Sequence, residues 1–297
     1  MADERDLFAG AREPPPREVT RVSPLVRRLI ASNASPFTFN GTCTYILGHG
    51  AVAVLDPGPD DEAHLVAILE ATAGEAIDAI LVTHTHRDHS VLARALKQAT
   101  GARIVGPAPF EPKGAGGLDS SHDRAYAPDA ILADGERFEG SGFTLEAVAT
   151  PGHCSNHLCF ALLEEQALFS GDHVMAWSTS VVAPPDGSIG AYMASLDTVR
   201  ARGERLYWPG HGGPVTEPQR YVRALALHRR QREASILAAL AEGAATVPEL
   251  VAKVYVGLDP KLQRAAGLST LAHLHDLVER GLAAEAPSEG GTRYRRV

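Results

Sequence analysis

The sequence is organised around one segment, Ile77-Asp78-Ala79-Ile80-Leu81-Val82-Thr83-His84-Thr85-His86-Arg87-Asp88-His89. Five of its first six residues are apolar, which predicts a short buried strand whose end carries the histidines. In an extended segment His84 and His86 project to the same side, and the following turn can bring Asp88 and His89 in from another direction. Because imidazole and carboxylate ligands this close together suit zinc, or alternatively iron or manganese, we predict a metal site here rather than a polar surface loop.

Three further short motifs that could supply metal ligands follow along the chain: Thr150-Pro151-Gly152-His153, Ser170-Gly171-Asp172 and Pro209-Gly210-His211-Gly212. Together with the histidine-rich segment, they resemble the signature motifs of the metallo-β-lactamase-fold hydrolases and occur in that family's order. The resemblance covers roughly residues 20 to 225. It implies an α+β fold, a four-layer αβ/βα sandwich, and the predicted strands and helices fit two packed sheets covered by helices on both outer faces.

The resemblance also implies two metal sites with a shared ligand. The first ion would be held by His84, His86 and His153, the second by Asp88, His89 and His211, and Asp172 would bridge them. The implied cofactor is a pair of Zn²⁺ ions, with Fe or Mn as alternatives. A hydroxide shared by the ions would attack a carbonyl or phosphoryl centre, because a metal lowers the pKa of bound water from about 15.7 to roughly 7. No serine or cysteine nucleophile is then required.

Two residues near these motifs have alternative interpretations. Asp56 matches the family's aspartate before the first helix, where it would fix the orientation of a ligand histidine, or it is a turn residue ahead of that helix. His157, counted with Asp88 as a candidate catalytic residue, lies four residues past His153. It could contact a ligand, donate a proton to the leaving group, or be a satisfied core histidine.

Other side chains near the expected site receive less specific predictions. Tyr192 matches the Y-x-x-S-L context that lines the substrate pocket of glyoxalase-like relatives, and ordinary packing is the alternative. Cys154 is interpreted as a packing residue. Residues 106–128 are rich in Pro, Gly and Asp and are predicted to form a surface loop and substrate-side flap. His122, within that loop, is predicted to be solvated rather than a ligand.

Three functions remain open at this point. In the family that the motifs resemble, a bridging carboxylate at Asp172 is typical of glyoxalase-like thioesterases and phosphodiesterases and not of true β-lactamases, so antibiotic hydrolysis is not expected as the main activity. The favoured function is hydrolysis of a small ester or thioester by a dinuclear zinc enzyme. The alternatives are a metal-dependent endoribonuclease or phosphodiesterase, and a metal-dependent regulator without turnover.

Composition restricts the partners and the compartment. A net charge of -8 counts against a large phosphate-binding surface, so a small-molecule substrate is favoured over nucleic acid. The chain has three cysteines, too few for a disulfide framework, which indicates a reducing compartment. The N-terminus lacks the features of a signal peptide and no apolar run is long enough to cross a membrane. We therefore expect a cytoplasmic protein. Its surface leaves open the association of identical chains into a homo-oligomer.

Three regions are predicted along the chain: an extended arm over 1–20, a catalytic domain over 21–225 and a C-terminal domain over 226–297. The last region reads as three helices and a β-hairpin about Glu289-Gly290-Gly291, which is the outline of a winged helix. Residues 244–297 hold seven Lys or Arg and six Asp or Glu. This near-neutral balance favours a domain that walls the active site or mediates self-association over one that binds nucleic acid. The same domain order resembles the lactamase-like subgroup that includes a mitochondrial endoribonuclease.

Overall fold

The computed structural model describes residues 15–112, 121–286, 288 and 291–297. Most of the predicted N-terminal arm, the glycine-rich centre of the predicted flap at 114–117, and residues 289 and 290 of the predicted hairpin turn lie outside the described residues.

The first sheet has seven strands arranged in the order of the sequence. They are β1 (Thr20–Arg21), β2 (Val26–Ile30), β3 (Cys43–His49), β4 (Ala51–Leu55), β5 (Ala76–Leu81), β6 (Arg103–Gly106) and β7 (Ala130–Ile131). Strands β1 to β4 pair antiparallel, whereas β4 to β7 pair parallel. Helix α1 (Glu62–Ala71) crosses from β4 to β5, and helices α2 (Arg87–Ser90) and α3 (Leu92–Thr100) cross from β5 to β6. The carboxyl ends of these parallel strands therefore share one edge.

The second sheet has five strands: β8 (Arg137–Gly140), β9 (Phe143–Ala149), β10 (Leu158–Leu162), β11 (Ala167–Gly171) and β12 (Leu206–Pro209). Their spatial order is β12-β11-β10-β9-β8. Only the β11–β12 pair is parallel among these strands, because helix α4 (Ile189–Ala201) connects the two. Both strands consequently end at the same edge, and the chain continues from each into a ligand motif.

Three apolar clusters separate four layers of structure. Tyr45, Phe160 and Phe169 belong to the buried core between the two sheets. On the outer face of the first sheet, a second cluster joins the strands to α1 and α3, as in the contact set that includes Ile68 and Leu96. A third cluster packs α4 and helix α5 (Pro218–Ala241) against the second sheet. The predicted α+β four-layer sandwich is confirmed.

The C-terminal region consists of the second half of α5, helix α6 (Val247–Val254), helix α7 (Gln263–Glu279) and the hairpin of β13 (Ala283–Ala286) and β14 (Arg293–Arg296). Its own core contains Ile236, Leu250, Leu274 and Tyr294. Helix α5 runs without interruption through both units, so the boundary predicted between residues 225 and 226 falls inside a helix. The helices and the hairpin predicted for this region are confirmed.

Local differences from the sequence-based prediction are small. The sequence pattern predicts a helix from Ser90 to Thr100 that ends at Gly101. In the structure the helical segment begins earlier, because Arg87–Ser90 already form a helical turn. The short strands β1, β7 and β8 were not predicted, since β1 and β7 have two residues each and β8 has only one buried side chain, Phe138. Every helix within the described ranges is too short or too polar to cross a bilayer.

Candidate metal centre

Two groups of ligand side chains lie at the edge where β5, β11 and β12 end. Within each group the potential ligand atoms lie within 4.8 Å of one another; the groups are His84, His86, His153 with Asp172, and Asp88, His89 with His211. The strand pairing explains how distant motifs meet: Gly171 pairs with Pro209 in the β11–β12 ladder, and Gly210 N donates to Gly171 O at 2.8 Å. All seven residues predicted as metal ligands are therefore brought together.

The Asp172 carboxylate faces both groups. Its Oδ2 lies 3.5 Å from His153 Nε2, while its Oδ1 lies 3.4 Å from His211 Nε2 and 3.5 Å from His89 Nε2. Two ligands bonded at 2.0–2.1 Å to one tetrahedral ion lie roughly 3.3 Å apart. The observed separations are long for hydrogen bonds and match the spacing of atoms that share a cation.

Three buried polar atoms at this centre have no hydrogen-bond partner among the described residues: His89 Nε2, His211 Nε2 and Asp172 Oδ1. An orphaned buried polar atom is costly and uncommon. All three belong to the ligand set, and their donor types suit a borderline divalent cation. The residues present therefore fit the metal pair that the motifs imply.

The charge distribution of the centre also fits a bound cation. Burial works to lower the pKa of His211, but the Asp172 and Asp88 carboxylates outweigh it and raise that pKa to about 9. The pKa of His89 is likewise raised, since Asp88 and Asp172 overcome the effect of burial. Burial would raise the pKa of Asp172, yet His211 and His89 hold it well below its usual range. These carboxylates thus stabilise positive charge at the positions where a cation would lie.

Asp56 holds two ligand histidines in orientation, one directly and one through Thr83. Its Oδ2 lies 2.9 Å from His89 Nδ1 and accepts the Thr83 hydroxyl at 2.7 Å, while its Oδ1 accepts Thr83 N–H at 2.8 Å. Thr83 Oγ1 in turn lies 2.9 Å from His84 Nδ1. Helix α1 is capped by Asp61 instead. Of the two interpretations of Asp56, its contacts favour support of a ligand histidine.

Two other ligand histidines use backbone carbonyls for the same purpose. His153 Nδ1 lies 2.5 Å from Val181 O, and His211 Nδ1 lies 3.2 Å from Gly41 O. A carbonyl can only accept, so each Nδ1 carries a proton, and Nε2 is the nitrogen of each ring that faces the centre and could bind a cation there.

Two positions in the ligand motifs require glycine, because neighbouring atoms lie too close to leave room for a side chain. A Cβ at Gly210 would lie 2.7 Å from Asp172 Oδ1 and 2.7 Å from His89 Cε1. A Cβ at Gly152, where φ is +143°, would lie 2.4 Å from Tyr192 Cα at the start of α4. Only glycine leaves room for the ligand side chains in the first case and for the helix in the second.

His157 is buried behind Asp172 and has both ring nitrogens engaged. Its Nδ1 lies 2.8 Å from Thr150 Oγ1, and its Nε2 accepts the backbone N–H of Asp172 at 3.1 Å. Burial lowers its pKa well below the usual value, which keeps the ring neutral. Of the three roles open to it, these contacts favour support of the segment that carries Asp172 over proton donation.

Tyr192 departs from its predicted role at the substrate pocket. The side chain is fully buried, its hydroxyl donates to His173 O at 3.0 Å, and the Arg229 guanidinium lies 5.2 Å from its ring centroid. Helix α4 turns this face onto the second sheet, so the alternative of ordinary packing describes it.

His122 is also placed differently from the prediction of a solvated loop histidine. Only 3% of its surface is exposed, and its ring stacks on Phe110 with centroids 3.7 Å apart. Its Nδ1 lies 2.8 Å from Thr85 Oγ1 and its Nε2 lies 3.6 Å from Asp186 Oδ2. Phe110 and His122, in the described parts of this loop, are thereby held beside the first ligand segment by a long-range contact that local composition does not reveal.

Arg229 links the C-terminal domain to the ligand loop and was missed in the sequence. It is 4% exposed on α5, donates to Ser180 O, and also donates to Ser269 Oγ on α7 at 3.2 Å. The next residue after Ser180 is Val181, whose carbonyl accepts from His153. A buried arginine within a helix of mixed charge gives no sequence signal that separates it from its solvated neighbours.

Comparison with known proteins agrees with this geometry. The family model described as Metallo-beta-lactamase superfamily matches residues 37–211, and the model described as Beta-lactamase associated winged helix domain matches residues 246–292. The chain belongs to the metallo-β-lactamase superfamily. The predictions of a hydrolase of this superfamily and of a C-terminal winged helix are thus confirmed.

Among its relatives are fungal proteins that align with this chain over most of their own length. An atrochrysone carboxyl ACP thioesterase from Aspergillus fumigatus is 32% identical over 86% of this chain and 81% of the relative. A lactamase-like protein, adaB, from Aspergillus niger is 31% identical over 88% of this chain and 83% of the relative.

Two solved structures share this fold over more than nine-tenths of the chain. A beta-lactamase domain protein from Burkholderia ambifaria has a TM-score of 0.83 at 23% identity, covering 100% of this chain and 99% of its own. A metallo-beta-lactamase family protein from Thermus thermophilus has a TM-score of 0.77 at 24% identity, covering 93% of this chain and 100% of its own. At these identities the likeness concerns the fold alone.

Proposed function

We propose that this protein is a dinuclear metal-dependent thioesterase that hydrolyses a small acyl thioester, with zinc as the metal pair. The observation that carries the proposal is the Asp172 carboxylate, whose two oxygens face different groups of histidines. A carboxylate in this position can bridge two ions. The thioesterase activity named for the relative from Aspergillus fumigatus supports the thioester class of substrate.

Bound metal ions of this kind polarise a substrate carbonyl as Lewis acids and activate water for attack at neutral pH. The protein's own residues prepare the ligands for that task. Asp56 accepts at His89 Nδ1 and Val181 O accepts at His153 Nδ1, so the Nε2 atoms of both rings face the centre as the nitrogens that would bind the metal ions. In this assignment Asp88 acts as a ligand, and His157 fixes the backbone at Asp172 and is a positioning residue.

The cysteines supply no competing nucleophile. Cys43, Cys154 and Cys159 are all buried. Burial raises the pKa of the Cys159 thiol to about 12, so the thiolate that would attack an acyl group is not formed at neutral pH. Attack by activated water, without an acyl-enzyme intermediate, is the route that this set of side chains supports.

A substrate panel tests the proposal. The zinc-loaded protein is assayed with S-acyl N-acetylcysteamine thioesters, a p-nitrophenyl ester, bis-p-nitrophenyl phosphate and a chromogenic β-lactam. We expect thioester hydrolysis that falls by about 10²-fold or more in Asp172→Ala, with Asp60→Ala, an exposed carboxylate, as the matched control. Hydrolysis of the phosphodiester but not of the thioesters would contradict this proposal and indicate a phosphodiesterase. Metal binding without any turnover would indicate a regulator.

A further inference from the structure

His86 differs from the other candidate ligand histidines in the way its ring is held. Its Nδ1 faces the metal centre, 3.0 Å from His84 Nε2 and 2.9 Å from His153 Nε2. Each of the other four contacts a protein oxygen through its outer nitrogen. In contrast, His86 Nε2 makes no hydrogen bond with any residue that the structure describes. A ligand imidazole is normally oriented by such a hydrogen bond, so within the described residues another kind of contact must orient His86.

The ring of His122, which is not a candidate ligand, packs against His86. The two ring centroids lie 4.5 Å apart at an interplanar angle of 51°. His122 also stacks on Phe110, with centroids 3.7 Å apart and an interplanar angle of 3°. An isolated β-bridge joins the backbones of His86 and His122, and Asp123 N donates to Thr85 O at 2.7 Å. The His86 ring is therefore confined by an aromatic neighbour whose backbone is fixed beside its own.

A short chain of hydrogen bonds fixes the His122 ring in turn. Its Nδ1 lies 2.8 Å from Thr85 Oγ1, and that hydroxyl accepts from Asn156 Nδ2 at 3.0 Å. The Asn156 amide nitrogen also donates to Ala108 O at 2.9 Å, and a carbonyl can only accept, which determines the orientation of the amide. The Thr85 hydroxyl proton is then left for His122 Nδ1, so the proton of the His122 ring lies on Nε2.

The carboxylate of Asp186 faces that Nε2 from the loop that follows Asp172. The distance from His122 Nε2 to Asp186 Oδ2 is 3.6 Å, and both side chains are buried. This distance is long for a hydrogen bond, but a buried carboxylate still attracts the N–H dipole. Burial would raise the pKa of Asp186, yet His122 and Ser155 hold it well below its usual range, so the group is charged. Ser155 N donates to Asp186 Oδ2 at 2.8 Å and fixes the carboxylate.

We propose that His122 is a positioning residue of the metal centre, whose ring holds the His86 imidazole with Nδ1 toward the first ion. Thr85 and Asp186 fix the orientation of the His122 ring, and ring contact then does for His86 what hydrogen bonds do for the other ligand histidines. Loss of the ring should loosen the first group of ligands and leave the second group unchanged. This inference rests on the proposed function, because it concerns a ligand of the same metal pair.

Two variants separate the ring contact from the hydrogen bonds of His122. His122→Phe keeps a ring beside His86 but loses both nitrogens, whereas His122→Asn keeps a polar group within reach of Thr85 and loses the ring. Competition with a chromophoric chelator measures the zinc affinity of each full-length protein. We expect the affinity for one of the two zinc equivalents to fall about tenfold in His122→Asn. In His122→Phe it should stay within about threefold of the wild type, because the ring contact is retained.

The visible spectrum of the cobalt-substituted protein gives a second readout, which a purely structural role of His122 would not change. The ligand-field bands report the coordination geometry, so they should shift in His122→Asn and return to the wild-type positions in His122→Phe. Phe138→Ala is the matched control. It removes another buried ring, which belongs to the core between the two sheets and lies beside Phe143. This variant should unfold more easily without a change in zinc affinity or in the cobalt spectrum.

Equal affinities and spectra in wild type, His122→Asn and His122→Phe would overturn the inference. So would a loss in His122→Phe as large as that in His122→Asn, because the ring would then not be what holds His86. If His122→Asn does not fold, Phe110→Ala takes its place. It removes the stacking partner of His122 and should weaken the same zinc equivalent several-fold.

Thioester hydrolysis, measured in parallel, separates this inference from the proposed function. A wild-type protein that binds two zinc ions and hydrolyses thioesters, with unchanged metal binding in every His122 variant, would contradict the role of His122 and leave the thioesterase intact. Zinc affinity that depends on the ring at position 122, without hydrolysis of any thioester, would contradict the thioesterase and leave His122 as a positioning residue of a metal site.

Discussion

The Oδ2 atom of Asp56 lies 2.9 Å from Nδ1 of His89, and both side chains are buried. The carboxylate stands at the end of β4 and the histidine follows β5, so the parallel pairing of these strands creates the contact. Through this contact Asp56, which does not itself face the metal centre, determines that Nε2 is the nitrogen of His89 that faces it.

We expect Asp56→Asn to weaken metal binding at the second group of ligands by roughly 10- to 100-fold, because the amide no longer fixes the His89 ring or its tautomer. Competition with a chromophoric zinc chelator measures the affinity. Asp60→Asn, an exposed neighbour in sequence, is the control. Equal affinities in the two variants would show that the contact has no influence on the site.

Gly210→Ala tests the close approach beside Asp172. The added methyl group would need the space of Asp172 Oδ1 and His89 Cε1, each 2.7 Å from the ideal Cβ position. We expect loss of zinc and of hydrolysis while the fold is retained, measured by metal analysis and circular dichroism. Gly203→Ala introduces the same methyl group where nothing lies within 4 Å. A Gly210→Ala protein with full zinc content would contradict the described packing.

Arg229→Met tests the link between the C-terminal domain and the ligand loop. Removal of this buried cation leaves Ser180 O without its donor, which should cost about 1–3 kcal/mol in the free energy of unfolding. It should also change the visible spectrum of the cobalt-substituted protein, since Val181 O orients His153. Arg230→Met removes an exposed neighbour as control. Identical spectra and stabilities in both variants would refute the link.

The burial of His273 leads us to predict how the stability of the C-terminal domain depends on pH. Burial lowers its folded-state pKa to about 3, with further lowering by Arg229, Arg232, His228 and Arg280. Below roughly pH 6.5 the His273 side chain is protonated in the unfolded chain but stays neutral in the folded chain. The free energy of unfolding therefore falls as the pH drops from 6.5 toward 3. At pH 4.5 the loss from this group is about 2–3 kcal/mol.

Replacement by an uncharged residue should remove that dependence. Neither ring nitrogen of His273 has a hydrogen-bond partner among the described residues, so His273→Leu should be tolerated at pH 7.5. Urea unfolding at a series of pH values compares the two proteins. Curves that run parallel from pH 7.5 to 4.5 would mean that His273 is not buried in its neutral form.

The sequence predicted the features that depend on local pattern. Alternating or continuous apolar runs predicted most strands, and the four ligand motifs identified the candidate ligands from His84 to His211. Helix α3 was expected to end at Gly101, and this residue has the left-handed conformation of a helix cap.

The features that the sequence did not predict depend on contacts between distant segments. His122 looks like a loop residue, and only its stacking on Phe110 and its contact with Thr85 bury it. Tyr192 matched a pocket motif, but the rotation of α4 turns it into the core. The pairing of Phe39 with Trp177 joins residues far apart along the chain, and no periodicity links them.

The number of metal ions bound by purified wild type and by Asp172→Ala tests the central claim most directly. If the two oxygens of Asp172 serve two ions, zinc analysis should give about two equivalents per chain in the wild type and about one in the variant, with Asp60→Ala equal to wild type. Two equivalents retained in Asp172→Ala would contradict a shared ligand and, with it, the dinuclear hydrolase.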